Sequence, residues 1–330
     1  MMSTHHLRAC ATTAAVIGAL LLGGNDARAL TFGLDFSGSY TDFDLGGPSG
    51  VPGPLGGLTF KAGDPNTLLI GGNANSTAAD IYQIGLTRDI NGHINGFTGP
   101  ATFFADAYGS TGGIDGGLRY GPGGVLFYTS YGDNHIGQIK PGSTAPDKLV
   151  DLNPLGIGSS VGSLEFVPAG FAGAGKLKLV SYNTGQWYDA TLTPDGFGTY
   201  DVSAPILRAT LGGGPEGIVY IEAGNAGFGV DSVLVSEYGN GKVAAYEIDA
   251  NGDPITSTRR DFITDLSNAE GALIDPLTGD FLFSTFGGGD RVVVIQGFVP
   301  PTNVIPEPGT LILFLLGLGG FGVMRRRLIT

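Results

Sequence analysis

Five times along this chain a glycine is followed by an apolar residue, a tight turn, an apolar strand that ends in serine or glycine, and then another strand. The openings are Gly57-Leu58, Gly117-Leu118, Gly162-Ser163-Leu164, Gly217-Ile218 and Gly271-Ala272-Leu273. The second strands end at Ser130-Tyr131-Gly132, Ser181-Tyr182-Asn183, Ser236-Glu237-Tyr238-Gly239 and Ser284-Thr285-Phe286-Gly287. A terminal leucine marks the fourth strand at Leu45, Leu152, Leu211 and Leu266, with a less obvious copy near Ala101 to Ala105. The period is about 55 residues, and four short antiparallel strands at that spacing are the signature of a β-propeller. With 59 glycines and only 14% charged residues, and with no sustained 3.6-residue apolar period, the fold class is all-β.

The two ends of the repeat array complement each other. The last unit offers strands at Leu273, Phe281 and Val292 but no clear fourth, whereas Tyr40 to Leu45 is a fourth strand with no unit before it. The N-terminal segment is therefore expected to pair into the final blade and close a ring of five blades, which removes an exposed strand edge. Six blades is the alternative, if Leu30 to Phe36 and the long insert around Phe103 supply further strands. The propeller domain is expected over 30–298, with a linker over 299–304.

Both termini carry addresses. Residues 1–29 place His5, His6 and Arg8 before an apolar stretch and end in Ala27-Arg28-Ala29, the small-x-small pattern cut by signal peptidase after passage through the Sec translocon. Cys10 is not a lipid-attachment cysteine, because the apolar stretch follows it. At the other end, Pro306-Glu307-Pro308 precedes an apolar run over 310–324 and a basic stop, Arg325, Arg326 and Arg327. This three-part order over 305–330 resembles the PEP-CTERM signal, and the resemblance implies exosortase, a membrane protease of Gram-negative bacteria, as the processing partner. Fifteen apolar residues extend about 22 Å as a helix against a hydrocarbon core of about 30 Å, so a transmembrane segment here is short and relies on arginine snorkelling. Positive-inside logic puts the arginines in the cytoplasm and the body outside. The expected location is the inner membrane before processing, then the cell surface or extracellular matrix.

Cys10 is the only cysteine, so the exported chain has no disulfide framework, thiolate metal site or cysteine nucleophile. Setting aside Arg8, Arg28 and the three tail arginines from 17 basic residues, and Asp26 and Glu307 from 30 acidic ones, leaves 12 against 28, a net charge of −16. Such a surface repels nucleic acid and suits divalent cations or neutral ligands.

Strand polarity locates the candidate chemistry. In antiparallel blades the start of each first strand and the end of each second strand lie at one face. That face is expected to gather Asp115, Glu216 and Glu270, joined by Asn73, Asp133, Asn134, Asn183, Glu237 and Asn240. Carboxylates and amides around a channel mouth are hard oxygen ligands suited to Ca²⁺, although Asn and Asp beside Gly also serve as turn residues. Glu216-Gly217 and Glu270-Gly271 resemble the Glu-Gly that begins blades in senescence-marker/gluconolactonase and NHL-like propellers. That resemblance implies a metal-binding role for Glu216 in a Ca²⁺-dependent lactonase, but Ile218 and Val219 stand where the family has an aromatic residue.

Other motifs point to structure. Asp249-Ala250-Asn251-Gly252-Asp253 and Asp89-Ile90-Asn91-Gly92 lack the distal glutamate of a calcium loop and read as hairpin turns. Gly158-Ser159-Ser160-Val161-Gly162 precedes a strand, so it is no nucleophile elbow. His93 and His135 leave no triad, and no catalytic residue is assigned. Trp187, Tyr182 and Tyr188 form either a sugar platform or blade packing. The expected function is a non-enzymatic binding or structural protein of the envelope, with exopolysaccharide as ligand. A gluconolactonase-like hydrolase is the alternative.

Overall fold

The computed structural model describes residues 30–266 and 268–302, which form five antiparallel sheets arranged as blades around an axis. Blade 1 comprises Leu58–Lys61, Asp64–Gly72, Asp80–Arg88 and Ile94–Asp106; blade 2, Ile114–Tyr120, Leu126–Ser130, His135–Ile139 and Lys148–Asp151. Blade 3 comprises Val161–Phe166, Leu177–Ser181, Gln186–Pro194 and Tyr200–Thr210. Blade 4 runs through Pro215–Ile221, Ser232–Glu237, Lys242–Glu247 and Arg260–Thr264, and blade 5 through Ala269–Ile274, Phe281–Thr285 and Val292–Gln296. The first strand of each blade is the innermost.

The N-terminal strand Thr41–Gly46 supplies the fourth strand of blade 5, pairing Thr41 with Gln296 and Gly46 with Val292. Just before it, Thr31–Phe32 pairs with Ile263 and Thr264 on the outer edge of blade 4. The two segments that could have made a sixth blade are thus absorbed into five: Thr31–Phe32 adds an edge strand, and the insert around Phe103 is the 13-residue fourth strand of blade 1. Between the two N-terminal strands, Phe36 and Tyr40 are buried against Phe228, Phe262 and Phe298, which rivets the closure.

The hydrophobic core is divided among the seams between blades. Leu68 and Ile70 pack toward blade 5, while Leu69 packs toward blade 2. Alternating side chains on one strand therefore both meet apolar neighbours, which explains why the strands read as continuous apolar runs rather than as an alternating pattern. Trp187 is fully buried in the seam between blades 3 and 4, where its indole N–H donates to Asp253 at 2.9 Å. Of the two sequence alternatives for Trp187, the structure selects blade packing.

The strand-opening glycines have a steric cause. A Cβ added at Gly57 would lie 2.8 Å from the Gly117 carbonyl carbon, and one at Gly117 the same distance from the Leu164 nitrogen. At Gly162 it would meet the Pro215 oxygen at 2.5 Å, at Gly217 the Glu270 oxygen at 2.5 Å, and at Gly271 the Gly57 Cα at 2.8 Å. The contacts run once around the axis and close on themselves, so the inner strands approach as closely as they do only because these positions carry no side chain.

Such crowding aims backbone carbonyls at the axis, and one cation satisfies them. The Arg119 guanidinium donates to the carbonyls of Leu58 (2.7 Å), Leu118 (2.7 Å), Ile218 (3.2 Å) and Ala272, and its Nε donates to Glu165 at 2.6 Å. Every blade contributes one acceptor. Burial pushes the Glu165 carboxyl up, with the Arg119 charge opposing that shift.

Among the described residues no helix is long and apolar enough to cross a membrane. The expected signal peptide (1–29), the sorting motif at Pro306, Glu307 and Pro308, the apolar run 310–324 and the basic stop lie outside the described residues. Arg119→Met is expected to cost about 3–5 kcal/mol in urea denaturation, since it leaves a buried carboxylate and several carbonyls without their donor. Adding Glu165→Gln should recover part of that loss.

Candidate functional site

Asp115, Glu216 and Glu270 each follow the first residue of an inner strand, in blades 2, 4 and 5. In each strand the pairing register slips at that place, between Ile114 and Leu118, Pro215 and Ile218, and Ala269 and Ala272. A bulge re-aims the side chain that would otherwise lie between two blades. The three carboxylates consequently point to the axis, where their oxygens come within 4.8 Å of one another. Glycines clear the space around them: a Cβ at Gly116 or Gly162 would lie 2.7 or 2.6 Å from Glu216 Oε2.

The trio is nearly sealed from solvent, at 1–2% exposure. As carboxylates, Asp115 Oδ2, Glu216 Oε2 and Glu270 Oε1 have no donor within reach, and neither does Asn75 Oδ1 at the same mouth; only a proton on one of the carboxyls lets the trio hydrogen-bond among themselves. Burial raises the Asp115 carboxyl to about 7, with hydrogen bonds from its neighbours opposing the shift. Burial, reinforced by the charge of Asp115, raises Glu216 and Glu270 well above the usual carboxylate range. Without a cation, three such groups cannot all be ionised.

Above the carboxylates sits an aromatic arc of which sequence reasoning named only Tyr182. Tyr131, Tyr182, Tyr238 and Phe286 follow the second strands of blades 2 to 5 and stand edge to face in succession, with ring centroids 5.6, 5.9 and 6.2 Å apart. With Asn75 and the trio they enclose a recess of 180 Å³. Burial and the nearby carboxylates raise the Tyr182 and Tyr238 phenols. The signal was present in the repeat, which places an aromatic residue right after the second strand in each of blades 2 to 5. Its meaning depended on knowing that all four rings share one mouth.

The remaining candidates serve the scaffold. Glu237 is fully buried but engaged by Arg259, Asn240 and Tyr246. Asn134 ties blades 2 and 3 together through the Val161 N–H and the Ile157 carbonyl. Asp133 accepts from the Ser110 hydroxyl, Asn73 donates to the Ala78 carbonyl, and Asn183 is exposed. The Asp89 and Asp249 loops are turns closed on their own backbone N–H groups. His93 contacts Asp280 at 2.6 Å, and His135 contacts the Asp133 carbonyl at 2.6 Å.

At the opposite end of the inner strands the channel widens to a mostly apolar cavity of 490 Å³, floored by Arg119 and Glu165. Its walls include Phe171, Tyr220 and Leu273, together with Phe298, Val299 and Pro301 of the segment that follows the last strand. The axis thus has two unlike ends, a narrow acidic mouth and a wide apolar one.

Comparison with known proteins places residues 304–327 in the PEP-CTERM protein-sorting motif. No curated protein matches the chain. Among solved structures, it is similar to virginiamycin B lyase from Staphylococcus aureus, with 12% identity over 78% of this chain and 99% of that one and a TM-score of 0.41. It is similar also to a candidate 6-phosphogluconolactonase from Bacteroides uniformis, with 14% identity, coverage of 85% and 86%, and a TM-score of 0.43. The PQQ-bound aldose sugar dehydrogenase of Streptomyces coelicolor matches with 15% identity, coverage of 76% and 82%, and a TM-score of 0.39. The sorting motif implies export, anchoring at the membrane before cleavage, and exosortase as the processing partner. The chain is a five-bladed β-propeller that carries a PEP-CTERM sorting motif.

Proposed function

We propose that this is a non-enzymatic binding protein of the cell surface or extracellular matrix, which holds Ca²⁺ at its narrow mouth and through it engages exopolysaccharide. The observation that carries the proposal is the trio of buried carboxylates whose facing oxygens have no donor when ionised. An unpaired buried carboxylate is costly, and a divalent cation removes that cost for all three at once. Asp115, Glu216 and Glu270 would be its ligands, with Asn75 Oδ1 as a neutral fourth oxygen. The arc from Tyr131 to Phe286 offers ring faces and edges against which the apolar side of a sugar can rest, with its hydroxyls toward the cation. The acidic surface fits a neutral or cation-bridged ligand better than an anionic one. In this scheme the apolar run over 310–324 spans the membrane before cleavage.

A second reading is favoured by the same pocket: a divalent ion under a partly enclosed recess also suits a Ca²⁺-dependent lactonase. Glu216 would then be a metal ligand of a hydrolase. A lactone panel separates the two readings. Metal-dependent turnover that disappears in Glu216→Ala supports the lactonase, and equal rates in variant and parent reject it.

Titration calorimetry should show one Ca²⁺ per chain, with affinity falling at least tenfold in Glu216→Gln and in Glu270→Gln. The pH dependence has a definite sign. Folded Asp115 titrates at about 7 and the unfolded residue at about 4, so the metal-free folded protein keeps a proton that the unfolded chain has released. Stability without metal should therefore fall as pH rises from about 4 to 7. Ca²⁺ should reverse the fall, and Asp115→Asn should lessen it, the buried Glu216 and Glu270 carrying the remainder. Retention of the native host's exopolysaccharide by the immobilised protein should be lost on chelation. Retention unaffected by chelation would remove the cation from ligand binding.

A further inference from the structure

We infer that the wide apolar mouth is the membrane-facing end of the domain, and that the carboxylate mouth points away from the bilayer while the chain is anchored. This rests on the anchoring that the sorting motif implies; the new element is the orientation, which follows from where the folded chain hands over to its tail. Phe298 is buried in the seam between blades 4 and 5 beside Tyr40, 4.5 Å between ring centroids. The next residue is pinned by its N–H to Asn225 Oδ1 at 2.8 Å, and the Thr302 hydroxyl donates to Glu222 Oε2 at 2.7 Å. Asn225 and Glu222 both belong to the rim of the 490 Å³ cavity. The last described residues therefore run across the wide mouth, and the tail leaves from that face.

Length decides whether the domain could turn over. Seven residues, 303–309, separate this anchor from the apolar run and reach at most about 25 Å when extended. To lay the narrow mouth on the bilayer, the linker would have to run outward past four strands, about 15 Å, and then along a blade for about 20 Å. The reach falls short. The surface nearest the lipid also suits it, because Leu277 and Val299 are about half exposed, at 50% and 49%, on the rim of a mostly apolar recess. The membrane is thus the partner of this face, and the three carboxylates are presented to the surrounding medium.

The test uses the full chain, produced in a host without exosortase so that the tail is retained, in a Cys10→Ser background. One variant carries Leu277→Cys at the wide rim and another Asn183→Cys at the narrow one, both exposed loop positions. Each is labelled with a fluorophore and reconstituted into phosphatidylcholine vesicles containing a headgroup-nitroxide lipid. Quenching at position 277 several-fold stronger than at 183 is the expected result. Equal quenching, or stronger quenching at 183, in protein that co-floats with the vesicles overturns the orientation alone. Failure to co-float overturns the anchoring as well.

Discussion

The closeness of the five inner strands is the constraint from which the rest of this molecule follows. Five blades leave a narrow axis, and the glycine at each strand opening lets one backbone lie against the next without a side chain between them. The crowding turns carbonyls inward, which demands a buried donor. Arg119 meets that demand with a single guanidinium that touches all five blades. A planar group with five N–H donors fits such a ring, where the point charge of lysine would not. Arg119 also divides the axis, so its two ends can differ in chemistry.

On the acidic side, three of the five blades spend their bulge on a carboxylate, and blade 3 carries Gly162 in the matching place. This departure from uniformity is informative. A scaffold that needed only closure would be satisfied with glycine at every blade, yet Asp115, Glu216 and Glu270 sit buried with oxygens turned toward one another. Burial raises their proton affinity, and groups so perturbed in a recess are candidates for a functional site. The wide mouth carries no comparable strain, and its charged floor is already neutralised within the fold.

Much of the architecture was legible before the structure, because propeller repeats are local. The strands Leu177–Ser181 and Phe281–Thr285, the unpaired fourth strand before Leu45 and the short fifth blade were all visible as patterns within a few dozen residues. The orientation argument for antiparallel hairpins also placed Asp115, Glu216 and Glu270 at one face. What could not be read was lateral direction. Glu237 sits at the same end as the trio, yet it turns into a seam to meet Arg259, and Asn134 turns toward the next blade. Bulges decide these directions, and a bulge depends on which backbone lies alongside. Arg119 was invisible for the same reason: its partners lie 46 to 153 residues away, apart from the neighbouring Leu118. Trp187 was open to either a sugar platform or blade packing, and its seam partners decide for packing.

The account stands on a cation being held by the trio, and crystals grown with Ca²⁺ test this most directly. It predicts density on the axis about 2.3–2.6 Å from oxygens of Asp115, Glu216 and Glu270. Carboxyl groups that instead stay hydrogen-bonded to one another near neutral pH, with saturating Ca²⁺ present and no density between them, would contradict it.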